Sequence, residues 1–346
     1  MHVISRRFLL RLCLLLALAA VAGAAGPVTH VIHISVDALR PDAISALTAA
    51  EVPNLQRLRQ EGAWTDNART DCASTETVPN HVTQLTSRGV TDQDGKVGAT
   101  RRGHDWADNG DPGTGTLGAN KGRYVAGVFD VVHKASLTTG FYASKSKLVL
   151  LANSWPRLID RSRVTDFDSR ALLNAMKADM ATRPKTYVFV HFADLDALGH
   201  GSGWMSTEYM KGVRTVDGYV GEILALIAAS PELKGKTAII LTADHAGGEA
   251  TGRAGSHANH LEAHNFTVPF YVWGPGVQAG ADLYALNRGR RADPGTAHVS
   301  YAAAVQPIRN GETGNLALQL LGLPPIPGSW LNDKQDLSLT APVHSP

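Results

Sequence analysis

Four short runs of apolar, largely β-branched residues constrain this chain most. They read HVIHISVDA from His30 to Ala38, TYVFVHFA from Thr186 to Ala193, TAIILTA from Thr237 to Ala243, and VPFYVW from Val268 to Trp273. Leu137 to Ala143 is a weaker fifth run. Strands this uniformly apolar are covered on both faces, unlike the alternating strands of a half-exposed antiparallel sheet. Between them lie helical patterns at Asp168–Ala181 and Glu208–Ala229. In the second, Tyr209, Val213, Val216, Val220, Ile223 and Leu224 recur at helical spacing. Strands alternating with helices predict an α/β fold with a mostly parallel central sheet and helices on both faces. No repeat or linker divides the chain, so one domain is expected, with Gly110–Gly122 as a long surface loop. Pro307–Gly311 opens a closing segment that ends in a Leu316–Leu321 helix, assigned to packing.

The strand ends carry the chemistry. The first run ends in Asp37, the third in Asp244, and the second runs into Asp194 and Asp196. Any single aspartate here is explained by its preference for turns. Three together, with histidines beside two of them, suit a ligand site, because open α/β sheets bind ligands outside the carboxyl ends of their strands. Histidine is abundant, with 14 in 346 residues, and neutral imidazole is a common metal ligand. Asp244-His245 offers an oxygen and an imidazole at one strand tip. Asp196 and His200 are four residues apart, which puts them on one face of a helical turn. His257, His260 and His264 follow, and any of them can complete a site begun by Asp196 and His200. A carboxylate with two histidines is a known catalytic zinc set that leaves one position open. Asp37 with Asp244-His245 can hold a second ion. His264 reads better as an exposed loop residue.

A nucleophile is to be sought in Ser74-Thr-Glu-Thr77-Val-Pro-Asn-His81, just before a short expected helix, Val82–Ser87. A hydroxyl there is either a helix cap or a nucleophile with helix amides facing an anionic substrate. Local sequence leaves both readings open. The formal charge of +2 gives no basic footprint for binding a nucleic-acid duplex. Two cysteines make neither a disulfide framework nor a four-cysteine zinc site. Gly113–Gly118 matches GxGxxG but follows Asp111-Pro112 rather than a strand, so it fails as a dinucleotide loop.

Residues 1–24 read as a cleaved export signal. Arg6, Arg7 and Arg11 precede an apolar run from Leu12 to about Val21, and Ala22 and Ala24 form an A-x-A end. The run is shorter than the ~20 residues that span a bilayer. The expectation is therefore a periplasmic or secreted mature chain, residues 25–346, with no stable membrane span. It would keep one cysteine, Cys72.

Taken in order, VDALRPD, TETVPNHVTQLTSRG, DLDALGHGSGW, LTADHAGG and VPFYVWGPGV resemble the alkaline phosphatase superfamily, and within it the type I phosphodiesterase/nucleotide pyrophosphatase family. The likeness runs from about Val31 to Gly276. It implies an alkaline phosphatase-like fold and a two-zinc hydrolase of phosphate esters or nucleotides. Asp37, Thr77, Asp244 and His245 would surround one Zn2+. Asp196, His200 and His257 would surround the other, with His260 as the second choice for the last ligand. Thr77 would be the nucleophile that forms a phospho-enzyme, and Asn109 would hydrogen-bond a phosphoryl oxygen.

Neighbouring chemistries fit less well. Sulfatases need a modified Cys or Ser in C/S-x-P-x-R, whereas Thr77-Val-Pro-Asn-His has no arginine after the proline. Phosphomonoesterases hold extra phosphoryl charge with an arginine or a further metal. Arg40, Arg88 and Lys145 are possible providers, but such residues are more often solvated. A zinc-stabilised binding protein would lack a competent hydroxyl, yet Thr77 is present. Trp204, in the expected rim loop Ser202–Ser206, suits substrate stacking and packing equally.

Overall fold

The computed structural model describes residues 28–248 and 256–341. The expected signal segment lies outside them. Eight strands form one sheet: β1 (His30–Val36), β2 (Ala63–Arg69), β3 (Thr139–Ala143), β4 (Arg161–Val164), β5 (Tyr187–Phe192), β6 (Thr237–Thr242), β7 (Thr267–Trp273) and β8 (Ala281–Asp282). Their order is β4-β3-β5-β1-β6-β7-β2-β8. The first four pairings, from β4 to β6, are parallel. β7 runs antiparallel to both β6 and β2. The sheet is thus mixed but mostly parallel, as the apolar runs predict.

The centre of the sheet is where the acidic tips meet. β1 lies between β5 and β6, and apart from half-buried His30 every residue of these three strands is buried. Ser35 is level with both His191 of β5 and Thr242 of β6. Two residues further on, Asp37 and Asp244 therefore emerge side by side. Such tips come together only because parallel strands share a direction, each requiring a crossover through a helix.

Five helices matter to the site: α1 (Thr77–Thr86), α2 (Ser169–Thr182), α3 (Asp194–Ser202), α4 (Thr207–Ala229) and α5 (Thr313–Leu320). The apolar stripe read on α4 is buried at each expected position. Helix α5 packs on α1, β1 and β6, whereas α4 packs on α2 and α3. Among the described residues no helix is long and apolar enough to cross a membrane.

Three expectations need correction. The helix expected at Val82–Ser87 starts at Thr77. Pro79 falls in its first turn, where a missing N–H breaks no helical hydrogen bond, and Ser87 ends it in the left-handed region at φ 47°. The Gly110–Gly122 loop contains a short helix, Leu117–Lys121, capped by the Thr116 side chain. The closing helix begins three residues earlier, at Thr313, and the segment before it does more than pack.

Candidate active site

The first and third strands deliver Asp37 and Asp244 directly, and the second delivers Asp196 through the first turn of α3. All three carboxylates are divided in the same way. One oxygen is held by the protein and the other is buried with no hydrogen-bond partner among the described residues. Asp37 Oδ2 lies 3.0 Å from His191 Nε2 and 2.7 Å from Lys145 Nζ. Asp196 Oδ2 accepts from Lys145 Nζ at 2.6 Å. Asp244 Oδ1 accepts from the Ala38 N–H at 3.2 Å. The unpartnered atoms are Asp37 Oδ1, Asp196 Oδ1 and Asp244 Oδ2. Buried carboxylate oxygens are rarely left so.

These free oxygens face imidazole nitrogens. His245 Nε2 is 3.3 Å from both Asp37 Oδ1 and Asp244 Oδ2. His200 Nε2 lies 3.3 Å from Asp196 Oδ1, and His257 Nε2 lies 3.6 Å from it. The Nδ1 atoms of His245 and His257 sit 2.8 Å from the carbonyls of Ala246 and Thr75. A carbonyl there fixes the proton on Nδ1 and leaves Nε2 with its lone pair outward, the usual arrangement for a metal-ligating histidine. Asp37, Asp244 and His245 form one group whose donor atoms lie within 4.8 Å of one another. Asp196, His245 and His257 form a second. The donor set, and the orphaned oxygens in particular, fit two divalent ions.

Electrostatics point the same way. Burial pushes the Asp37 carboxyl up, but Lys145 and the His191 hydrogen bond outweigh it and hold Asp37 well below the usual range. Asp244, buried beside the Asp37 charge, is driven well above it. Burial and Asp37 raise Asp196, yet His200 and Lys145 leave it below the ordinary carboxylate range. Burial keeps His245 neutral, and burial together with neighbouring His245 takes His257 to about 3. Crowded carboxylates among neutral imidazoles are relieved by a cation.

Thr77 stands at the start of α1, wholly buried. Its hydroxyl lies 3.3 Å from His245 Nε2 and 3.3 Å from Lys145 Nζ. It caps no helix: the N-cap residue is Glu76, and no side chain supplies a cap bond. Asn109, 32 residues along the chain, reaches the same helix terminus. Its Oδ1 accepts from the Val78 N–H at 3.0 Å and from Lys147 Nζ at 3.0 Å, while its Nδ2 donates to Glu76.

His260 lies apart, its ring 5.8 Å from that of His298. His264 is exposed and touches Arg40 rather than the carboxylates. Asp194 accepts from Tyr219 instead of joining the site. Of the three cations weighed for charge neutralisation, Arg40 donates to the Gly247 carbonyl and to Asp42, and Arg88 to the carbonyls of Arg102 and Pro327. Lys145, expected to be solvated, is instead buried between Asp37 and Asp196.

Other supporting residues carry no motif of their own. His81 places Nε2 2.9 Å from Ser35 Oγ and Nδ1 2.7 Å from the Thr77 carbonyl, fastening α1 to β1. Asn310, in the segment assigned to packing, donates to the carbonyls of Ala243 and Asp244 at 3.1 and 3.0 Å. Ala38 takes φ 62°, a strained choice for a residue with a Cβ. Asp244 and the Tyr209 hydroxyl, which donates to the Ala38 carbonyl at 2.6 Å, hold it there. Trp204 is a packing residue: a Cβ on Gly199 or Gly247 would meet its ring at 2.4 Å. The indole thereby ties α3 to the loop after β6.

The family model for type I phosphodiesterase / nucleotide pyrophosphatase matches residues 31–279. Curated relatives include GPI ethanolamine phosphate transferase 1 of Neurospora crassa, 32% identical over 121 residues, which cover 35% of this chain and 11% of that protein. The Mus musculus protein of the same name is 31% identical over 116 residues, covering 34% and 12%. The matched stretch is thus about a tenth of these relatives' length. Among solved structures, human ectonucleotide pyrophosphatase / phosphodiesterase 5 superposes with a TM-score of 0.59 at 13% identity, over 89% of this chain and 99% of that one. A 2-O GAG sulfatase, BT1596, gives 0.57 at 12% identity, over 85% and 71%. At such identities the superpositions establish the fold alone, one that this chain shares with both proteins.

Proposed function

The chain belongs to the type I phosphodiesterase / nucleotide pyrophosphatase family, and from that premise we propose that it hydrolyses phosphate esters or nucleotides with Thr77 as nucleophile. One observation carries this reading. Three buried carboxylates each leave one oxygen unpartnered, among the described residues, near the Thr77 hydroxyl and the histidine Nε2 atoms. Asp37, Thr77, Asp244 and His245 would hold one metal ion. Asp196, His200 and His257 would hold the other, with zinc the natural match to the donor set. When bound, two such ions would stabilise the attacking and leaving oxygens of an in-line displacement.

The chain's own residues do the rest. The position of Thr77 in the first turn of α1 sets its oxygen beside helix amides that favour an anion. Lys145 donates to that oxygen and stabilises its alkoxide form. The Thr77 Oγ–P bond forms as the bond from phosphorus to the leaving oxygen breaks. Water then forms a new P–O bond as the Thr77 Oγ–P bond breaks, returning the hydroxyl. Asn109, at the Val78 amide, lies where equatorial oxygens gather charge.

Thr77→Ala tests this directly. It is expected to abolish hydrolysis of bis-p-nitrophenyl phosphate while keeping two metal ions by elemental analysis. Full activity in the variant overturns the assignment. The ethanolamine phosphate transferase relatives favour a second reading, in which an alcohol rather than water discharges phospho-Thr77. Product analysis with and without an added alcohol separates the two. Export of a single catalytic domain, residues 25–346, belongs to the same proposal, and N-terminal sequencing of the mature protein checks it.

A further inference from the structure

A cavity of about 370 Å³ shares no residue with the two metal-donor groups. Small-molecule sites span roughly 300–1,000 Å³. Buried Arg309 and Glu312 line it, on either side of Asn310. Seven charged side chains line the cavity in all, and their pairing is one-sided. Each of the three acids has a cation. Glu312 and Asp336 accept from Arg291 at 2.9 and 3.2 Å, and Asp333 accepts from Arg102 at 3.2 Å. Of the four cations only Arg291 has an acid. Arg290, Arg309 and Lys334 make no ion pair among the described residues.

Arg309 carries most of the imbalance. Its side chain is buried and donates to neutral oxygens only: Gln306 Oε1 and the carbonyls of Thr70 and Val299. A second buried arginine, Arg69, is bridged to it through the backbone. Arg69 also donates only to neutral oxygens, those of Asn67, Ala68, Gly295 and Ala297. Burial and the Arg309 charge push Arg69 down to about 10. Buried cations are ordinarily paired. Two of them together without an ion pair create a positive potential that an arriving anion relieves. Trp330 adds an indole N–H, buried and with no acceptor among the described residues. Arg290 and Lys334 are exposed and form the rim.

We propose that this cavity is a second ligand site, apart from the catalytic one, and that it takes a small organic anion with an apolar body, of the aromatic carboxylate class. The unspent groups are all cations or donors, which selects the charge. Pro307, Trp330 and Leu331 supply apolar wall, which selects the body. Asn310 donates to the Ala243 and Asp244 carbonyls, so the site adjoins the scaffold of the inner cluster without giving it a ligand. Binding there needs neither metal nor phosphoryl chemistry, and its test is independent of the function proposed above.

Isothermal titration of the purified protein with isophthalate, a benzene dicarboxylate, tests this directly. Titration runs to about 10 mM, since a ligand this small gains only about 0.3 kcal/mol per heavy atom at the modest end. The wild type is expected to bind one equivalent. Arg290→Met and Lys334→Met should each weaken binding about 3- to 10-fold, the range for charges at a solvent-open rim. The double variant should weaken it about 10-fold or more, and Lys334→Arg should stay within about threefold of wild type. Lys211→Met removes the same charge from an exposed position on α4 and should leave the affinity unchanged. Arg309 is kept intact, because it also holds the Thr70 and Val299 carbonyls. Isophthalamide, the neutral diamide of the same shape, should not bind. No binding by the wild type overturns the proposal, as does wild-type affinity in the double variant, which puts the anion elsewhere. Equal binding of the diamide overturns the selection for charge.

Discussion

Asp37, Asp244 and His245 are wholly buried at the tips of central strands, whereas the other donor cluster rests on a short helix and a loop, and His200 keeps 42% of its side chain exposed. The inner cluster is fastened on every side, by His191, Lys145, Ala38 and Asn310. The outer one has Lys145 behind Asp196 and Trp204 packed between its supporting segments. The contrast teaches that the two sites share a counter-ion but not a scaffold. Damage to the inner site should reach the fold, and damage to the outer one should stay local.

The largest expected effect breaks the chemistry and neither cluster. Thr77→Ala should reduce single-turnover phosphoryl transfer by about 10⁴-fold or more, as removal of a nucleophile typically does, with both ions kept. Next comes the inner site. Asp37→Ala leaves Lys145, 4% exposed, with a single carboxylate partner. Relief of the Asp37–Asp244 repulsion offsets part of the loss, so urea unfolding of the chelated protein should show about 3 kcal/mol of destabilisation, the low end for breaking a buried pair. An unchanged midpoint would mean the inner cluster is no more embedded than the outer. For the outer site, His200→Ala and His257→Ala should each lower the metal content from two ions to one. His200→Ala, at an exposed side chain, should shift chelated stability by no more than about 0.5 kcal/mol.

Acid titration of the chelated protein sharpens the comparison further. His33 and His104 are wholly buried, and burial lowers both to about 3. Below the unfolded value of 6.5 the unfolded chain binds more protons. Stability should therefore be fully present above that pH and fall by about 1.4 kcal/mol per pH unit for each histidine down to about pH 3. His200 has the opposite sign. Asp196 raises its pKa, so its small contribution is present at low pH and is lost as pH rises through the folded value. Far-ultraviolet circular dichroism against pH, with His33→Gln as control, checks the buried part. The smallest effect is expected from Trp204→Phe, which should weaken the outer ion more than the inner one.

Strand-tip acids were legible because they sit next to uniformly apolar runs, and the Asp196–His200 spacing because a helical turn imposes it. Lys145 was not legible. Nothing local distinguishes a lysine buried against two carboxylates from a solvated one, since the partners are 108 and 51 residues away in the chain. Asn310 was hidden for the same reason, and its segment looked like packing because its role is made through carbonyls of a distant loop. The start of α1 was misplaced because Pro79 looks like a helix boundary unless the first turn has already been fixed at Thr77.

The histidine excess divides along the same line. Sequence alone marked His200, His245 and His257 as donor candidates, by their neighbours and by resemblance. The fold alone shows His81 and His191 fastening α1 and Asp37, and His33 and His104 buried as neutral polar groups in the core. The chain by itself determined an α/β sheet with acids at its parallel tips, because apolar periodicity and strand direction are local properties. Only the tertiary structure decided which oxygen of each carboxylate is free, and that Lys145 is buried between Asp37 and Asp196 beside the Thr77 hydroxyl, because those depend on partners that folding alone brings within hydrogen-bond reach.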